Sequence, residues 1–362
     1  MSCEKEILIF NWMDIKNPNS GGQEKYCYEI GKRLSKDGYK VRWITSKYKD
    51  SKANEYIDGI EVIRVGNIFT VYLFGLLKYL KFRKADFVFL SINSIPFIAP
   101  FHHKRRLVMI HHRIEPKIMR EKVGPYWIIP YLFQEYLNPF IFKLDKIITN
   151  SDSTAMDLKS MGYPDASVVK LGVDLPNELP AAKEKIVVSP GPVKPWKHHD
   201  WAIEAFSYLD DSWEMIIFGT VESDEYMEYL QSMVQSLHLS TRVKIAGRIT
   251  EEEVAKILAI SSICVLATEK EGWGLVAMEA QSNGCPVIGF DVQGIRDSVI
   301  DGETGILVTF SDVVAMGLEL RGLAENQEKW RKMSEQAIIR SLDYDWDTCY
   351  KEFLSSLPNS KS

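Results

Sequence analysis

The sequence predicts an α/β protein of two domains, each built on a mostly parallel sheet. Three observations carry this. Short apolar runs of strand length alternate with helical stretches in two separate series, the rhythm of βαβ units with helices on both faces. Between the series, DLPNELPAAKEK (Asp174–Lys185) changes texture, with two prolines, several charges and little to bury. At 362 residues the chain is long for one core and comfortable for two.

EILIF (Glu6–Phe10) opens the first series as a strand. In the loop after it, Gly21 and Gly22 precede a helix over Tyr26–Tyr39 whose apolar period stops at Gly38. Val41–Thr45, Glu61–Val65, Asp86–Leu90, Arg106–Ile110 and Lys146–Asn150 are further strands. Ser153–Gly162 is a helix closed by its glycine, and Val168–Leu171 is the last strand of this half. The second series begins at Ile186–Ser189. It runs through a helix over Trp201–Phe206, a strand at Met215–Phe218, a helix from Ser223 to Leu237 and a strand at Val243–Ala246. Then Ile263–Ala267 is a strand, Glu271 lies in a loop, and a helix starts at Gly274 or Leu275. NGCP (Asn283–Pro286) stops that helix, Val287–Phe290 is a buried strand, and Asp301–Val308 supplies a turn and a strand. The expected domains are residues 1–173 and 186–340, joined by the linker 174–185. The tail 341–362 carries a helix over Asp343–Leu357, expected to pack back toward the first domain. Facing domains of this kind form a cleft between their strand ends, where ligands bind.

Apolar residues make up 46% and charged residues 26%, a soluble globular composition. The five cysteines lack CxxC spacing and the seven histidines lack HxxxH spacing. They read as reduced thiols and a chain without a metal site. The first ten residues are too charged for a signal peptide. The apolar run Tyr126–Phe133 contains a proline and is too short to span a bilayer. A cytoplasmic location is therefore expected.

The formal net charge of −5 is uneven. Residues 1–180 carry 27 Lys and Arg against 20 Asp and Glu, whereas the remainder carries 17 against 29. The basic excess gathers between residues 71 and 146. There Lys78, Lys81, Arg83, Lys84, Lys104, Arg105 and Arg106 interleave with Tyr79, Phe82, Phe101 and Trp127. Such a surface suits peripheral docking at an anionic membrane on the inner face of the cell; the plain alternative is a solvated face over core aromatics. No helix-turn-helix, zinc-finger or RNP-like signature accompanies it, so nucleic acid is not an expected partner.

Candidate chemistry gathers at strand ends. Gly21 and Gly22 permit close approach of a ligand and leave helix N–H groups free for a diphosphate. The loop is neither a GxGxxG fingerprint nor a GK[ST] phosphate loop, which disfavours an ordinary dehydrogenase or ATPase. His111 and His112 directly follow a buried strand, placed to bond a substrate hydroxyl or move a proton. Either could instead be a satisfied surface imidazole, and neighbouring side chains rarely face the same way, so at most one of the two is expected to act. His102, His103, His198 and His199 read as peripheral. In GPVKPWKHHD (Gly191–Asp200), Lys194 and Lys197 could neutralise a leaving diphosphate, as could Arg248 after Gly247. Glu271 and Glu279 stand eight positions apart in TEKEGWGLVAMEAQSNGCPVIGF (Thr268–Phe290). Gly272 and Gly274 make one continuous helix between them unlikely to form, so the two carboxylates sit on a loop and on the helix after it.

With these residues in place, the chain resembles the retaining, nucleotide-sugar-dependent glycosyltransferases of family-4 type, which have the GT-B architecture of two facing Rossmann-like domains. The resemblance runs from Gly21 to about Val308 and is strongest in EGWGLVAMEA (Glu271–Ala280), GCPVI (Gly284–Ile288) and QGIRDSVIDGETGILV (Gln293–Val308). It implies that Glu271 meets the hydroxyls of the transferred sugar and Glu279 the ribose. It further implies that the backbone of Gly274, Leu275 and Val276 lies near the diphosphate, that Lys197 belongs to a cationic clamp, and that His111 lies near donor sugar and acceptor. His112 and Arg113 are candidates for acceptor contact. The implied donor is a UDP-, GDP- or ADP-sugar and the acceptor a glycan or lipid-linked molecule, with no cofactor and no metal. The leaving diphosphate is expected to help deprotonate the acceptor on one face, so that configuration is retained. One position departs from the pattern: Pro192 follows Gly191 where the family usually has an arginine. Proline offers neither cation nor N–H, leaving Lys194 or Arg248 to supply the charge. A nucleotide-sugar epimerase or hydrolase on this fold, or a non-catalytic sugar-binding protein, are the alternative functions.

Overall fold

Both series of strands form sheets in which neighbouring βα loops open at one edge. The computed structural model describes residues 5–92, 94–97, 103, 105–114, 116–176, 178 and 182–358. Its contacts divide the chain into two compact units.

The first unit contains β1 (Glu6–Phe10), α1 (Gly22–Lys36), β2 (Lys40–Thr45), β3 (Asn54–Ile57), β4 (Ile60–Arg64), α2 (Val71–Lys81) and β5 (Phe87–Ile92). After these come β6 (Arg106–Ile110), α3 (Pro116–Val123), α4 (Ile128–Leu132), α5 (Asn138–Ile141), β7 (Lys146–Thr149), α6 (Asp152–Ser160) and β8 (Ala166–Val168). The sheet order is β3-β4-β2-β1-β5-β6-β7-β8. Every pairing is parallel except β3 with β4. That hairpin closes through Asp58 and Gly59, both at positive φ, a tight Asp-Gly turn. The turn signal stands in the sequence, but only the β4 half was expected as a strand.

The second unit contains β9 (Glu184–Pro190), α7 (His199–Phe206), β10 (Glu214–Phe218), α8 (Asp224–Ser236), β11 (Val243–Gly247), α9 (Glu251–Ile260) and β12 (Ser261–Leu266). It continues with α10 (Leu275–Ser282), β13 (Val287–Phe290), α11 (Ile295–Ser298), β14 (Gly305–Val308), α12 (Val313–Glu325) and α13 (Gln327–Ser341). Its sheet is parallel throughout, in the order β11-β10-β9-β12-β13-β14. The central strand β12 is buried along its whole length, as expected of a strand covered by helices on both faces.

Side chains start most of the longer helices of this unit. Ser223 accepts from the Tyr226 N–H ahead of α8, and Asp312 from the Ala315 N–H ahead of α12. Thr250 and Glu253 form a reciprocal box at α9, with Glu253 accepting from the Thr250 N–H at 2.8 Å.

The division between units falls at Leu171–Gly172, ahead of the expected linker 174–185. The second unit begins at Gly172, and Glu184 and Lys185 already belong to β9. The chain leaves this unit again after Asp345, where the Val173 N–H donates to the Tyr344 carbonyl at 2.7 Å. The tail helix α14 (Trp346–Ser355) belongs to the first unit. Tyr350 Oη donates to Asp37 at 2.7 Å, Arg33 donates to Asp347 at 2.7 Å, and the Phe353 ring packs edge-on against Phe89 with centroids 5.2 Å apart.

The basic aromatic segment includes the helix α2, with Lys78 and Lys81 in its last turn. One further expectation changes. Arg106, counted among the surface cations, is held by both oxygens of the mostly buried Asp145, at 2.7 and 2.8 Å. His102, Phe101 and Lys104 lie outside the described residues.

Between β1 and Gly21 the loop is anchored by a buried ion pair. Arg64 donates to Asp14 from Nε at 2.7 Å and from Nη2 at 2.8 Å, and both side chains are fully buried. Arg64 also donates to Glu55 and to the Lys52 carbonyl. Removing one partner of such a pair strands a buried charge. The expected cost of Asp14→Ala is about 3–5 kcal/mol of stability, measured by urea unfolding; a change below about 1 kcal/mol would show that the pair does not anchor this loop.

Candidate functional site

In the second unit, the parallel order β10-β9-β12-β13 sets the loops after these strands side by side. The loop after β9 carries Lys194 and Lys197, and the loop after β12 carries Glu271. The two loops are tied together: the Glu269 N–H donates to the Trp196 carbonyl at 3.2 Å, and Thr268 Oγ1 donates to the same carbonyl at 3.5 Å. Lys197 Nζ and a Glu271 carboxylate oxygen meet in an ion pair. Glu271 is also fixed from behind, where its N–H donates to the Gln293 carbonyl at 3.0 Å.

Gly294 and Gly274 make this packing feasible. Gly294 has φ +83°, and a Cβ there would come within 2.3 Å of the Glu271 carbonyl oxygen. Gly274 has φ +82°, and its Cβ would come within 2.4 Å of Ser298 Oγ. Both positions therefore need glycine on conformation and on space. Gly274 caps α10 in the left-handed conformation with no side-chain hydrogen bond. Leu275 and Val276, the first two residues of α10, are half-buried, so their N–H groups belong to the helix end that attracts anions. Glu279 follows on the same helix, also half-buried.

Lys194 is engaged elsewhere in its own unit. Its ammonium donates to both carboxylate oxygens of Glu222 at 3.1 Å and lies 4.8 Å from the centroid of the Trp196 ring. Arg248 follows the positive-φ Gly247 at the end of β11 and is exposed. Of the two groups that could stand in for an arginine at Pro192, Arg248 is thus the one at the surface.

His198 and His199 are not peripheral. His198 takes the left-handed conformation, stacks on Trp201 with centroids 3.7 Å apart and sits 3.1 Å from Glu269. Burial works against its charge, but the bonds to Asp200 and Glu269 outweigh it and raise its pKa. His199 is buried with Nδ1 3.0 Å from Ser189 Oγ. Burial, and then the Lys197 charge, push its pKa down to about 4. Adjacent histidines in a lysine-containing loop gave no signal of this in the sequence, because the residues that enclose them come from distant segments.

In the first unit, β1, β5 and β6 are adjacent, so Asn11, Ser91 and His111 come to one edge. A connected hydrogen-bond chain joins them. The Asn11 amide oxygen accepts from the Trp12 N–H at 2.7 Å, which fixes the orientation of that amide. Gln23 Nε2 therefore donates to Asn11 Oδ1 at 3.1 Å, and it donates as well to Ser91 Oγ at 3.0 Å. Ser91 Oγ lies 2.9 Å from His111 Nε2. At the other end, Asn11 Nδ2 donates to Glu24, which also accepts from the Gly21 N–H at 2.9 Å. The paired glycines thus serve the entry of α1, with Gly21 as its N-cap.

His111 is buried, and burial followed by the neighbouring His112 pushes its pKa down to about 3. It is a neutral imidazole at physiological pH. Burial raises Glu24 to about 7, against hydrogen bonds from the Gly21 and Glu24 N–H groups and Asn11. His112 is half-buried. Arg113 donates to Glu135 from Nε at 2.8 Å and Nη2 at 3.1 Å, which fixes it beside the same loop. Gln23, Ser91 and Asn11 were not foreseen; a glutamine just after the paired glycines was the one local sign.

Among the described residues, no group of three His, Cys, Asp or Glu side chains is placed to hold a metal ion, and no helix is long and apolar enough to cross a membrane. Cys27, Cys264, Cys285 and Cys349 are buried free thiols.

Residues 20–176 match the model described as Glycosyltransferase Family 4, and residues 174–340 match that described as Glycosyl transferases group 1. The chain belongs to this glycosyltransferase family. The chain is 30% identical over 154 residues to N-acetyl-alpha-D-glucosaminyl L-malate synthase of Bacillus anthracis, an alignment covering 42% of this chain. The chain spans only 40% of the length of that relative. Sucrose-phosphate synthase of Thermosynechococcus elongatus superposes with a TM-score of 0.82 at 18% identity, covering 97% of this chain and 98% of the other. Anabaena HepE in complex with UDP and glucose superposes at 0.74 and 16% identity, covering 98% and 99%. The fold is GT-B, two Rossmann-like α/β units.

The depressed imidazoles give this protein a defined pH response. His111 and His199 stay neutral when folded but protonate near pH 6.5 when unfolded. Their stability contribution is therefore full above pH 6.5 and is lost as pH falls toward about 3 and about 4 respectively. Glu24 acts in the opposite sense: with a folded pKa near 7 against 4.5 unfolded, its contribution is full below 4.5 and lost as pH rises to 7. His111→Gln is expected to flatten the loss of stability between pH 6.5 and 5, and Glu24→Gln to steepen it. Urea midpoints at pH 7.5, 6.5 and 5 check both, and parallel curves for all three proteins would refute the assignment.

Proposed function

We propose that the protein is a retaining glycosyltransferase that moves a hexose from a nucleoside diphosphate sugar to a hydroxyl of a glycan or lipid-linked acceptor. The observation that carries this is the Lys197–Glu271 pair held at the head of α10, with Glu279 on the same helix. As the bond from the sugar to the diphosphate breaks, negative charge grows on the phosphate oxygens. The Lys197 ammonium and the N–H groups of Leu275 and Val276 are fixed before reaction and stabilise that charge without reorganising. Arg248, exposed at the end of β11, is the second cation in this reading.

When the diphosphate takes Lys197, the Glu271 carboxylate is released to accept from sugar hydroxyls. Glu279 accepts from the ribose hydroxyls. In the first unit, His111, neutral and held by Ser91, offers an uncharged imidazole to a hydroxyl of the acceptor. A leaving phosphate oxygen removes the acceptor proton on the face it departs from, which retains the configuration at the sugar carbon. The HepE structures, described as complexes with UDP, with UDP-glucose, and with UDP and glucose, support a UDP-sugar as the first donor to test, with GDP- and ADP-sugars beside it.

Titration calorimetry with UDP, GDP and ADP, alongside transfer assays on glycan and lipid extracts, tests the reading. Absence of both nucleotide binding and sugar transfer would sink it. Binding without turnover would point instead to a sugar-binding protein, which Pro192 favours. Within the proposal, Glu271→Gln is expected to depress turnover while UDP affinity stays within about twofold. Glu279→Gln is expected to weaken UDP itself by about tenfold, on the order of one lost hydrogen bond to a charged group. Equal loss of UDP affinity in both variants would contradict the two roles. Lys197→Met is expected to lower kcat about 10²–10³-fold, the range for removing one preorganised group that stabilises transition-state charge; steady-state rates measure it.

A further inference from the structure

The first unit contains a pocket of about 800 Å³ whose lining is mostly apolar, with Ser91 and Ser94 among its polar members. It is lined by Ile68, Phe69 and Tyr72, at and just before the start of α2, and by Met119 from α3 and Ile129 and Pro130 from α4. The end of β5 lines it too, through Ser91, the hydroxyl that bonds His111 and Gln23. A volume of this size falls within the range that encloses a small-molecule ligand. Sugars and nucleotides, which need dense hydrogen bonding, do not suit such walls. An apolar chain does.

The surroundings of the mouth agree. Phe69 is 78% exposed and Ile129 48% exposed. Along α2, Leu73, Leu77 and Leu80 face outward on a helix that also carries Lys78 and Lys81. Grouped exposed apolar side chains beside ammonium groups fit a lipid surface with anionic headgroups better than bulk water.

We infer that this pocket binds the apolar chain of a lipid-linked acceptor, with the polar head directed to Ser91 and His111. The inference rests on the proposed transferase reading for the meaning of the head end. The apolar lining and its outlet over α2 stand on geometry alone. The chain would enter between Phe69 and Ile129 from a membrane whose anionic lipids meet Lys78 and Lys81.

The test uses the full chain and a diazirine-bearing prenyl monophosphate, with labelled peptides located by mass spectrometry. Saturable labelling is expected on the peptides carrying Tyr72, Met119 and Ile129. Unlabelled farnesyl phosphate should compete at least tenfold better than methyl phosphate, which has the head without the chain. It should also compete better than phosphatidylglycerol vesicles of equal chain concentration, which separates an acceptor chain from a bilayer chain. The exposed double variant Phe69→Glu/Ile129→Glu is expected to lose labelling at least tenfold while its urea midpoint stays unchanged. Competition by methyl phosphate as strong as by farnesyl phosphate would overturn the inference. So would vesicles competing as well as farnesyl phosphate, labelling confined to Leu73, Leu77 and Leu80, or unchanged labelling of a folded double variant. UDP calorimetry on the same samples keeps the two readings apart: UDP binding with no pocket labelling sinks the acceptor pocket alone, and pocket labelling without UDP binding or transfer sinks the transferase reading.

Discussion

Parallel strand pairing is the constraint on which the rest of this protein depends. In a parallel sheet each strand must return across a face through a helix, so all βα loops collect at the carboxyl edge. That is why Lys197, Glu271 and Gly294, separated by as many as 97 positions, lie on neighbouring loops of one unit. The same rule brings Asn11, Ser91 and His111 together in the other unit. The single antiparallel hairpin stands at the edge of the first sheet, where it alters none of these loops.

Once loops are neighbours, their exact placement becomes a packing problem. In the second unit, glycine resolves it, because Gly294 and Gly274 bring backbone against backbone where any side chain would collide. In the first unit, polar groups resolve it. Glu24, Asn11, Gln23, Ser91 and His111 form an unbroken sequence of hydrogen bonds under the strand ends. A buried polar chain is costly if any member is unpaired and rigid when every member is satisfied. Such rigidity suits a surface that must present one imidazole in one orientation.

The two units differ in the chemistry they offer. The second presents cations, helix N–H groups and carboxylates, suited to a charged and hydroxyl-rich ligand. The first presents a neutral imidazole next to an apolar pocket, suited to a partner that is polar at one end only.

By itself the sequence determined the α/β class, the two series of strands and helices, and the placement of Glu271 on a loop with Glu279 on the helix after it. These were legible because they depend on local pattern: apolar runs of strand length, capping residues such as Ser223 and Thr250, and short motifs at strand ends. The Asp58–Gly59 turn was equally local, and its hairpin partner went unread. Tertiary structure alone decided the rest. Only the packed sheet shows that Glu222 engages Lys194, that Arg106 serves Asp145, and that Gln23 reaches Ser91 across 68 positions. Only packing turns His199 into a buried neutral ring and makes a pocket beside Ser91 from segments that look unrelated in the chain. The physical reason is that burial and pairing belong to the folded arrangement of distant residues: a side chain's neighbours, and with them its charge and its role, are set by strand order rather than by its place in the sequence.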